Sequence, residues 1–294
     1  MKNIFFIFFF QSFLFFEQYK LYNNSTNLTY YFELLHQCYN PKIIVSLTSY
    51  QKRFDTINIV IDSILNGNLV PNKIVLTLFN KDFIFIPKKI FDYLIENKII
   101  LIIVDIDIKP HKKYFYVMQK YPYDIIITID DDIIYEKKTV ELLYKSYLKF
   151  PEEVSARRVH LIKYDKNGKS KPYDEWYKEY QFLKNPSFDL LATTGAGTLF
   201  PPNILKINYS LIYDIFKCIN SDDIFLKYIE NKLKIKTVWV ENNELMGLYN
   251  LYKEGMYYNE NILGNDNCLS NFNIEYKLIK IKNFFKRLFK IIFK

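Results

Sequence analysis

Residues Ile125-Ile126-Ile127-Thr128-Ile129-Asp130-Asp131-Asp132 constrain this chain more than any other stretch. Five β-branched residues in a row run directly into three adjacent carboxylates. Such a run reads as a strand buried on both faces, the kind found in parallel α/β sheets, whose ligands gather at the carboxyl ends of the strands. The acidic triplet falls at that end. In an extended backbone alternate side chains point the same way, so the pattern predicts Asp130 and Asp132 facing one hard cation and Asp131 turned away. Three like charges side by side repel each other, and a purely structural turn is met more simply by Asn, Gly or Ser. Magnesium or manganese held by one or two carboxylates completes its shell with water and substrate phosphate oxygens.

The flanking segments support a sheet of this kind. Strands are expected at Ile43 to Leu47, Lys73 to Leu78, Ile99 to Val104 and Ile125 to Ile129. A helical pattern covers Thr56 to Leu65 and ends at Asn66-Gly67, Pro87 opens a short helix through Tyr93, and Val140 to Leu148 reads as another. Strands alternating with helices imply parallel pairing through right-handed crossovers. Beyond Leu148 the periodicity is less regular. Asn167-Gly168 marks a hairpin turn, Thr193 to Thr198 a small-residue loop, Ser221 the start of a helix toward Leu233, and Thr237 to Val240 a last strand. There is no internal repeat.

Composition narrows the class. At 294 residues, half of them hydrophobic and including 26 Tyr and 26 Phe, the chain can bury a substantial core. A net charge of +8 suits a polyanionic partner. The basic residues concentrate in the tail, where Lys277, Lys280, Lys282, Lys286, Arg287, Lys290 and Lys294 follow Glu275, the last acid of the chain. On a helix, Ile281, Phe284, Phe285, Leu288 and Ile292 share one face. Residues 277–294 therefore read as a basic amphipathic helix suited to an anionic membrane surface, and nucleic-acid binding is disfavoured. The apolar stretch Ile4 to Phe16 is shorter than the roughly 20 residues of a transmembrane helix, and no small-residue cleavage site follows it. Three widely spaced cysteines, Cys38, Cys218 and Cys268, form no zinc pattern and make a reducing compartment the default.

Taken in order, five segments resemble the GT-A glycosyltransferases, close to the family 2-like enzymes that build bacterial surface polysaccharides. They are Val45-Ser46-Leu47-Thr48-Ser49-Tyr50 with Arg53, His111-Lys112-Lys113-Tyr114, the triplet Asp130-Asp131-Asp132, Thr194-Gly195-Ala196-Gly197, and Ser221-Asp222-Asp223. The resemblance spans roughly Lys42 to Met246. It implies an α/β, Rossmann-like single catalytic domain over residues 41–250, with a mostly parallel sheet and flanking helices. The nucleotide-binding half would run to about residue 135, with an acceptor half after it. Residues 1–40 would be an apolar segment and polar approach, and 251–294 a C-terminal extension.

By the same resemblance, Thr48, Ser49, Tyr50 and Arg53 border the nucleotide, and Asp105 or Asp107 accepts hydrogen bonds from base or ribose. His111, Lys112 and Lys113 approach the diphosphate. Asp130 and Asp132 hold Mn2+ or Mg2+ as a DxD motif, and Asp131 contacts the ribose or the waters of the metal. Gly195 and Gly197 let backbone approach a sugar, and Trp176 offers a ring for stacking. The catalytic base is Asp222 or Asp223, where family 2 members commonly carry Glu-Asp.

The activity the resemblance implies is metal-dependent, inverting transfer from a nucleotide-sugar donor to a glycan or lipid-linked acceptor, expected at the inner face of the cytoplasmic membrane. Two alternatives stand beside it. A nucleotidyltransferase would share the acidic residues and sheet, but Ser49 to Arg53 lacks the glycine such an enzyme needs after its first strand. A noncatalytic nucleotide-binding scaffold would bind without turnover.

Overall fold

The computed structural model describes residues 40–240, 249–250 and 258–272. The apolar segment near the N terminus and the basic segment 277–294 lie outside them. No helix among the described residues is long and apolar enough to cross a membrane.

In chain order the strands are β1 (Ile43–Thr48), β2 (Lys73–Phe79), β3 (Ile100–Val104), β4 (Ile125–Thr128), β5 (Ile133–Ile134), β6 (Val154–Ala156), β7 (Val159–Leu161), β8 (Leu190–Ala192), β9 (Thr198–Phe200), β10 (Thr237–Trp239) and β11 (Tyr249–Asn250). The helices are α1 (Ile57–Leu65), α2 (Asn80–Phe83), α3 (Lys88–Glu96), α4 (Lys112–Lys120), α5 (Thr139–Lys149), α6 (Ile212–Phe216), α7 (Asp222–Leu233) and α8 (Tyr258–Asn271).

Seven strands form the central sheet in the order β10-β6-β9-β4-β1-β2-β3. β1 pairs parallel with β2 and β4, β2 with β3, and β6 with β10; β9 alone runs antiparallel, between β4 and β6. This is the expected α/β architecture, a mostly parallel sheet with helices on both faces.

Alternation along β1 explains the two-sided burial. Ile43, Val45 and Leu47 pack with Ile57, Val60, Ile61 and Ile64 of α1, Leu94 of α3 and Leu143 of α5. Ile44 faces the other way, onto Val75, Ile126 and Val117 of α4. A separate cluster holds the second half together, with Phe225 and Ile229 of α7 against Leu190, Leu191, Phe200 and Trp176.

The reversed strand is what assembles the site. Because β9 runs against β4, with Thr128 opposite Thr198, the loop that enters β9 begins where β4 ends. Residues 194–197 are thereby carried beside the acidic triplet. β4 itself stops at Thr128, so the triplet sits on the turn that follows, and strand alternation does not govern where its side chains point.

Candidate active site

Two cations organise the carboxylates. Arg53 Nη1 lies 2.7 Å from Asp131 Oδ1 and 3.0 Å from Asp132 Oδ2, drawing these neighbours to one guanidinium. Asp131 and Asp132 therefore converge, where alternation predicted them apart. Lys113 Nζ, almost wholly buried, lies 2.7 Å from Asp130 Oδ1 and 3.0 Å from Asp222 Oδ2. One ammonium thus joins the triplet after β4 to the acid pair that opens α7.

The charges within this cluster are unevenly settled. Burial opposes the charge on Lys113, but Asp130, Asp222 and Asp223 overcome it and hold the ammonium firmly protonated. Burial likewise opposes the charge on Arg53 and is outweighed by Asp131 and Asp132. Asp131 is raised by burial, with Arg53 and the Ser49 hydroxyl opposing. Asp132 is pushed up to about 6 by burial and by the neighbouring charge of Asp130.

A second imbalance lies in the acid pair. Burial raises both members, but for Asp222 the charge of Lys113 prevails and holds the group below the usual carboxylate range. Asp223 is pushed up to about 7 by burial and by the charge of Asp222. Thr194 clamps the two. Its backbone N–H donates to Asp223 Oδ1 at 2.8 Å, and its Oγ1 lies 2.7 Å from both Asp222 Oδ2 and Asp223 Oδ1. A hydroxyl has one proton to donate, so it serves one of the two carboxylates at a time, and donated to Asp223 it favours that group's charged form. Ser221 occupies the N-cap of α7 but makes no side-chain cap, and the two aspartates turn into the site.

Gly195 fixes the geometry of Asp130. A Cβ at this position would fall 1.8 Å from Asp130 Oδ2, so the carboxylate rests directly on the glycine Cα. The Gly195 carbonyl accepts from the Asp130 N–H at 3.3 Å, and the Tyr135 hydroxyl bonds to that same carbonyl while accepting from the Asp130 N–H at 2.8 Å. Gly197 has φ +97°, a left-handed value suited to glycine, and sits against Thr139 and Arg157. Neither Tyr135 nor Thr194 figures among the candidate site residues of the sequence analysis. Tyr135 carries no pattern of its own, whereas Thr194 belongs to the small-residue loop that did signal.

The remaining candidates divide by position. Thr48 ends β1, and Ser49 and Tyr50 follow it at the carboxyl edge of the sheet. The Thr48 hydroxyl donates to the Thr77 carbonyl at 2.7 Å, and the Tyr50 ring has the Arg53 guanidinium 5.4 Å from its centroid. Asp105, just past β3 on the same edge, accepts from Asn80 Nδ2 at 2.7 Å. Asn80 Oδ1 is buried without a hydrogen-bond partner among the described residues, an orphaned acceptor at the end of β2 that the sequence did not single out. Lys112 is paired with Asp107, whereas its neighbour Lys113 is the lysine paired with the triplet.

Two expectations are corrected. Trp176 is 3% exposed and packs in the second-half core, its indole N–H donating to the Lys171 carbonyl at 2.8 Å, so it presents no face to a sugar. His111 is fully buried and does not reach toward a diphosphate. Burial pushes it down to about 4. Being neutral, it donates from Nε2 to the Cys218 carbonyl at 3.0 Å and accepts the Tyr114 hydroxyl at Nδ1, 2.6 Å away.

The residues fit a divalent cation in a specific way. Among the described residues no group of three or more His, Cys, Asp and Glu side chains is arranged to hold a metal alone. A two-carboxylate site needs none, because phosphate and water supply its other ligands. Asp132 stays raised by burial and by Asp130 even with Arg53 and Lys113 opposing, and a divalent cation held by the two carboxylates would relieve that repulsion.

No protein-family model matches this sequence, and no curated protein does. Among solved structures it is similar to glucosyl-3-phosphoglycerate synthase from Mycobacterium tuberculosis in complex with Mn2+, UDP and glucosyl-3-phosphoglycerate. That match has 18% identity and a TM-score of 0.32, over 41% of this chain and 45% of the other. The same enzyme with Mg2+ and UDP matches at 19% identity and a TM-score of 0.32, over 42% and 46%. A mycobacterial protein matches at 16% identity and a TM-score of 0.33, over 41% and 42%. In each case the match covers less than half of either chain.

Proposed function

We propose that this protein is a metal-dependent glycosyltransferase that moves a sugar from a nucleotide-sugar donor to an acceptor hydroxyl. The observation that carries the reading is the Lys113 bridge, which sets Asp130 of the triplet and Asp222 of the acid pair on either side of one buried ammonium. A donor-binding acid cluster and an acceptor-side base must lie on opposite sides of one reacting carbon, and that bridge puts them in one site.

In this reading Asp130 and Asp132 hold Mn2+ or Mg2+, ions that the mycobacterial synthase structures contain together with UDP. A divalent cation there supplies Lewis-acid stabilisation of the departing diphosphate. The nucleotide lies along the carboxyl edge of β1, β2 and β3, with Thr48, Ser49 and Tyr50 beneath it and the Asn80–Asp105 pair facing its base or ribose. Lys113 offsets charge developing on the diphosphate. Asp223, poised near neutrality, removes the acceptor proton as its oxygen attacks the anomeric carbon and the bond to the diphosphate breaks. Attack from the side opposite the leaving group gives inversion. The acid pair and small-residue loop agree with a family 2-like enzyme of the surface-polysaccharide type, and the basic residues 277–294 with a peripheral place on the inner face of the cytoplasmic membrane, where a glycan or lipid-linked acceptor is met.

The test is a panel of nucleotide-sugars incubated with purified protein and Mn2+, with and without chelator, following release of nucleoside diphosphate. Chelator-sensitive release from one donor, lost in Asp132→Asn, is the expected outcome. Pyrophosphate release from a nucleoside triphosphate would instead establish a nucleotidyltransferase, and nucleotide binding without release in the presence of glycan acceptors would establish a scaffold.

A further inference from the structure

The turn that carries Asp222 and Asp223 is held from outside by α8. Cys218 and Cys268 are joined as a disulfide, with their Cα atoms 4.8 Å apart and both residues buried. Both sulfurs rest against the Ser221 carbonyl oxygen, at 3.2 and 4.0 Å. Around this bond α8 packs closely, with Cys268, Leu269 and Phe272 buried in the second-half core. Gly264 approaches Ser221 so nearly that a Cβ there would lie 3.4 Å from the serine Oγ. Asn271 Nδ2 donates to the Lys217 carbonyl at 2.9 Å, Asp266 accepts from the Tyr173 N–H at 2.8 Å, and Phe272 lies 4.6 Å from the Tyr228 ring. From the other side, the carbonyl of Cys218 accepts the His111 Nε2–H, and His111 closes the turn 109–111 and caps the helix that bears Lys113. One cysteine therefore touches both the residue that caps the Lys113 helix and, three residues on, the Ser221 carbonyl that immediately precedes the acid pair.

We propose that Cys218 and Cys268 form a redox-responsive strap that ties α8 to the Asp222–Asp223 turn and positions the acid pair for proton removal. This rests on the reading of that pair as the base. Oxidation joins the two Sγ atoms and passes two electrons and two protons to a low-molecular-weight disulfide, which leaves as two thiols; a small dithiol reverses the step by thiolate attack. Disulfides in a reducing cytoplasm are mostly transient and redox-sensing, which suits a bond placed at a site. The strap acts on position and touches neither donor nor acceptor. Releasing it unties α8 from residues 217–222, while the Ser221 carbonyl keeps the Phe225 N–H of α7 and Asp130, Asp132 and Arg53 keep their own partners in the first half of the chain.

The experiment uses the full chain, oxidised and then treated with reduced dithiothreitol. Non-reducing peptide mapping should show a Cys218–Cys268 peptide that persists in Cys38→Ala. On reduction, hydrogen exchange should rise in residues 217–226 and 258–272 and stay unchanged in 43–48, 73–79 and 125–132. Affinity for Mn2+ with UDP should change less than twofold while the turnover rate of transfer falls about tenfold, the size of effect expected from a small displacement of a reacting group. Cys268→Ala should reproduce the reduced behaviour and no longer respond to reductant. Exchange that rises evenly across the sheet would make the bond a general staple and overturn the proposal, as would a mapping in which Cys218 and Cys268 stay free after oxidation. Absence of transfer from every donor would defeat the proposed activity, while the mapping and exchange results would still decide the strap.

Discussion

The two halves of this molecule hold their acids by different means. In the first, β1, β2, β3 and β4 run four to seven residues each, pair in parallel, and deliver Thr48, Asp105 and the triplet at one edge. Backbone ladders and two-sided burial set those positions, and the triplet brings its own counter-ion in Arg53. In the second half β6 to β10 are three residues each, and Asp222 and Asp223 are placed by side-chain ties: the Thr194 clamp, the buried disulfide behind Ser221, and an ammonium borrowed from α4 of the first half. A ladder distributes the loss of one contact over its neighbours, whereas a side-chain tie does not. The second half should therefore respond more sharply to single substitutions, except where the two halves touch.

They touch most closely at Gly195, and the largest effect is expected there. Gly195→Ala puts a methyl group where Asp130 Oδ2 now lies, 1.8 Å from the new carbon, so the carboxylate must leave its place between Lys113 and the β9 loop. Metal-dependent release of nucleoside diphosphate should fall by about 100-fold or more, as misplacement of a reacting group by an ångström commonly does. Metal affinity, measured by titration calorimetry with nucleotide present, should fall with it. An alanine variant with normal metal affinity would show that the halves are not joined through this contact and that Asp130 does not hold the ion.

How much of this was legible in the residues follows the same division. Strands β1 to β4 announce themselves as short β-branched runs, because burial on both faces demands such runs. The order of motifs marks the Gly195 loop as part of the site, and the structure sets it against Asp130. Where the chain leaves the ladder, prediction fails for physical reasons. Alternation assigned Asp131 and Asp132 to opposite sides, but β4 ends at Thr128 and a guanidinium gathers both on the turn beyond. Lys113 reads as a phosphate ligand, and nothing in its neighbours reveals that a buried ammonium spans two acids distant in sequence. The pairing of Cys218 with Cys268 is a tertiary fact across 50 residues, and α8 has too weak an amphipathic pattern to be seen. Asn80 shows its role only as an orphaned carbonyl beside Asp105.

A smaller effect separates the halves by pH. Asp223, pushed up to about 7, must lose its proton to act as base, so the rate of transfer should fall about tenfold per pH unit below that value. The sign for stability is the reverse. Between about 4 and about 7 the folded protein keeps a proton on Asp223 that the unfolded chain has released, so this group's contribution to stability shrinks as pH rises through that window. Thr194→Val removes the hydroxyl that favours the charged form, and should move the acid limb of the rate profile to higher pH while binding of Mn2+ with nucleotide stays unchanged. A limb that does not move in Thr194→Val, or that persists in Asp223→Asn, would take the base role away from Asp223.

The smallest effect expected on chemistry comes from Trp176, and it tests whether a site-like residue of the second half is only part of its frame. Its ring is enclosed by the core that includes Leu190, Leu191 and Phe225, with Tyr173 5.2 Å away, and its N–H is already committed to the Lys171 carbonyl. Trp176→Phe removes that hydrogen bond and some volume, and should lower unfolding stability by about 1–3 kcal/mol in urea denaturation. Donor binding and the acceptor KM should both stay within twofold, because no face of the indole is open to a sugar. A rise in acceptor KM of about tenfold with stability unchanged would mean that the ring leaves the core to meet the acceptor. In that case the second half would be shaped by its substrate as much as by its own packing.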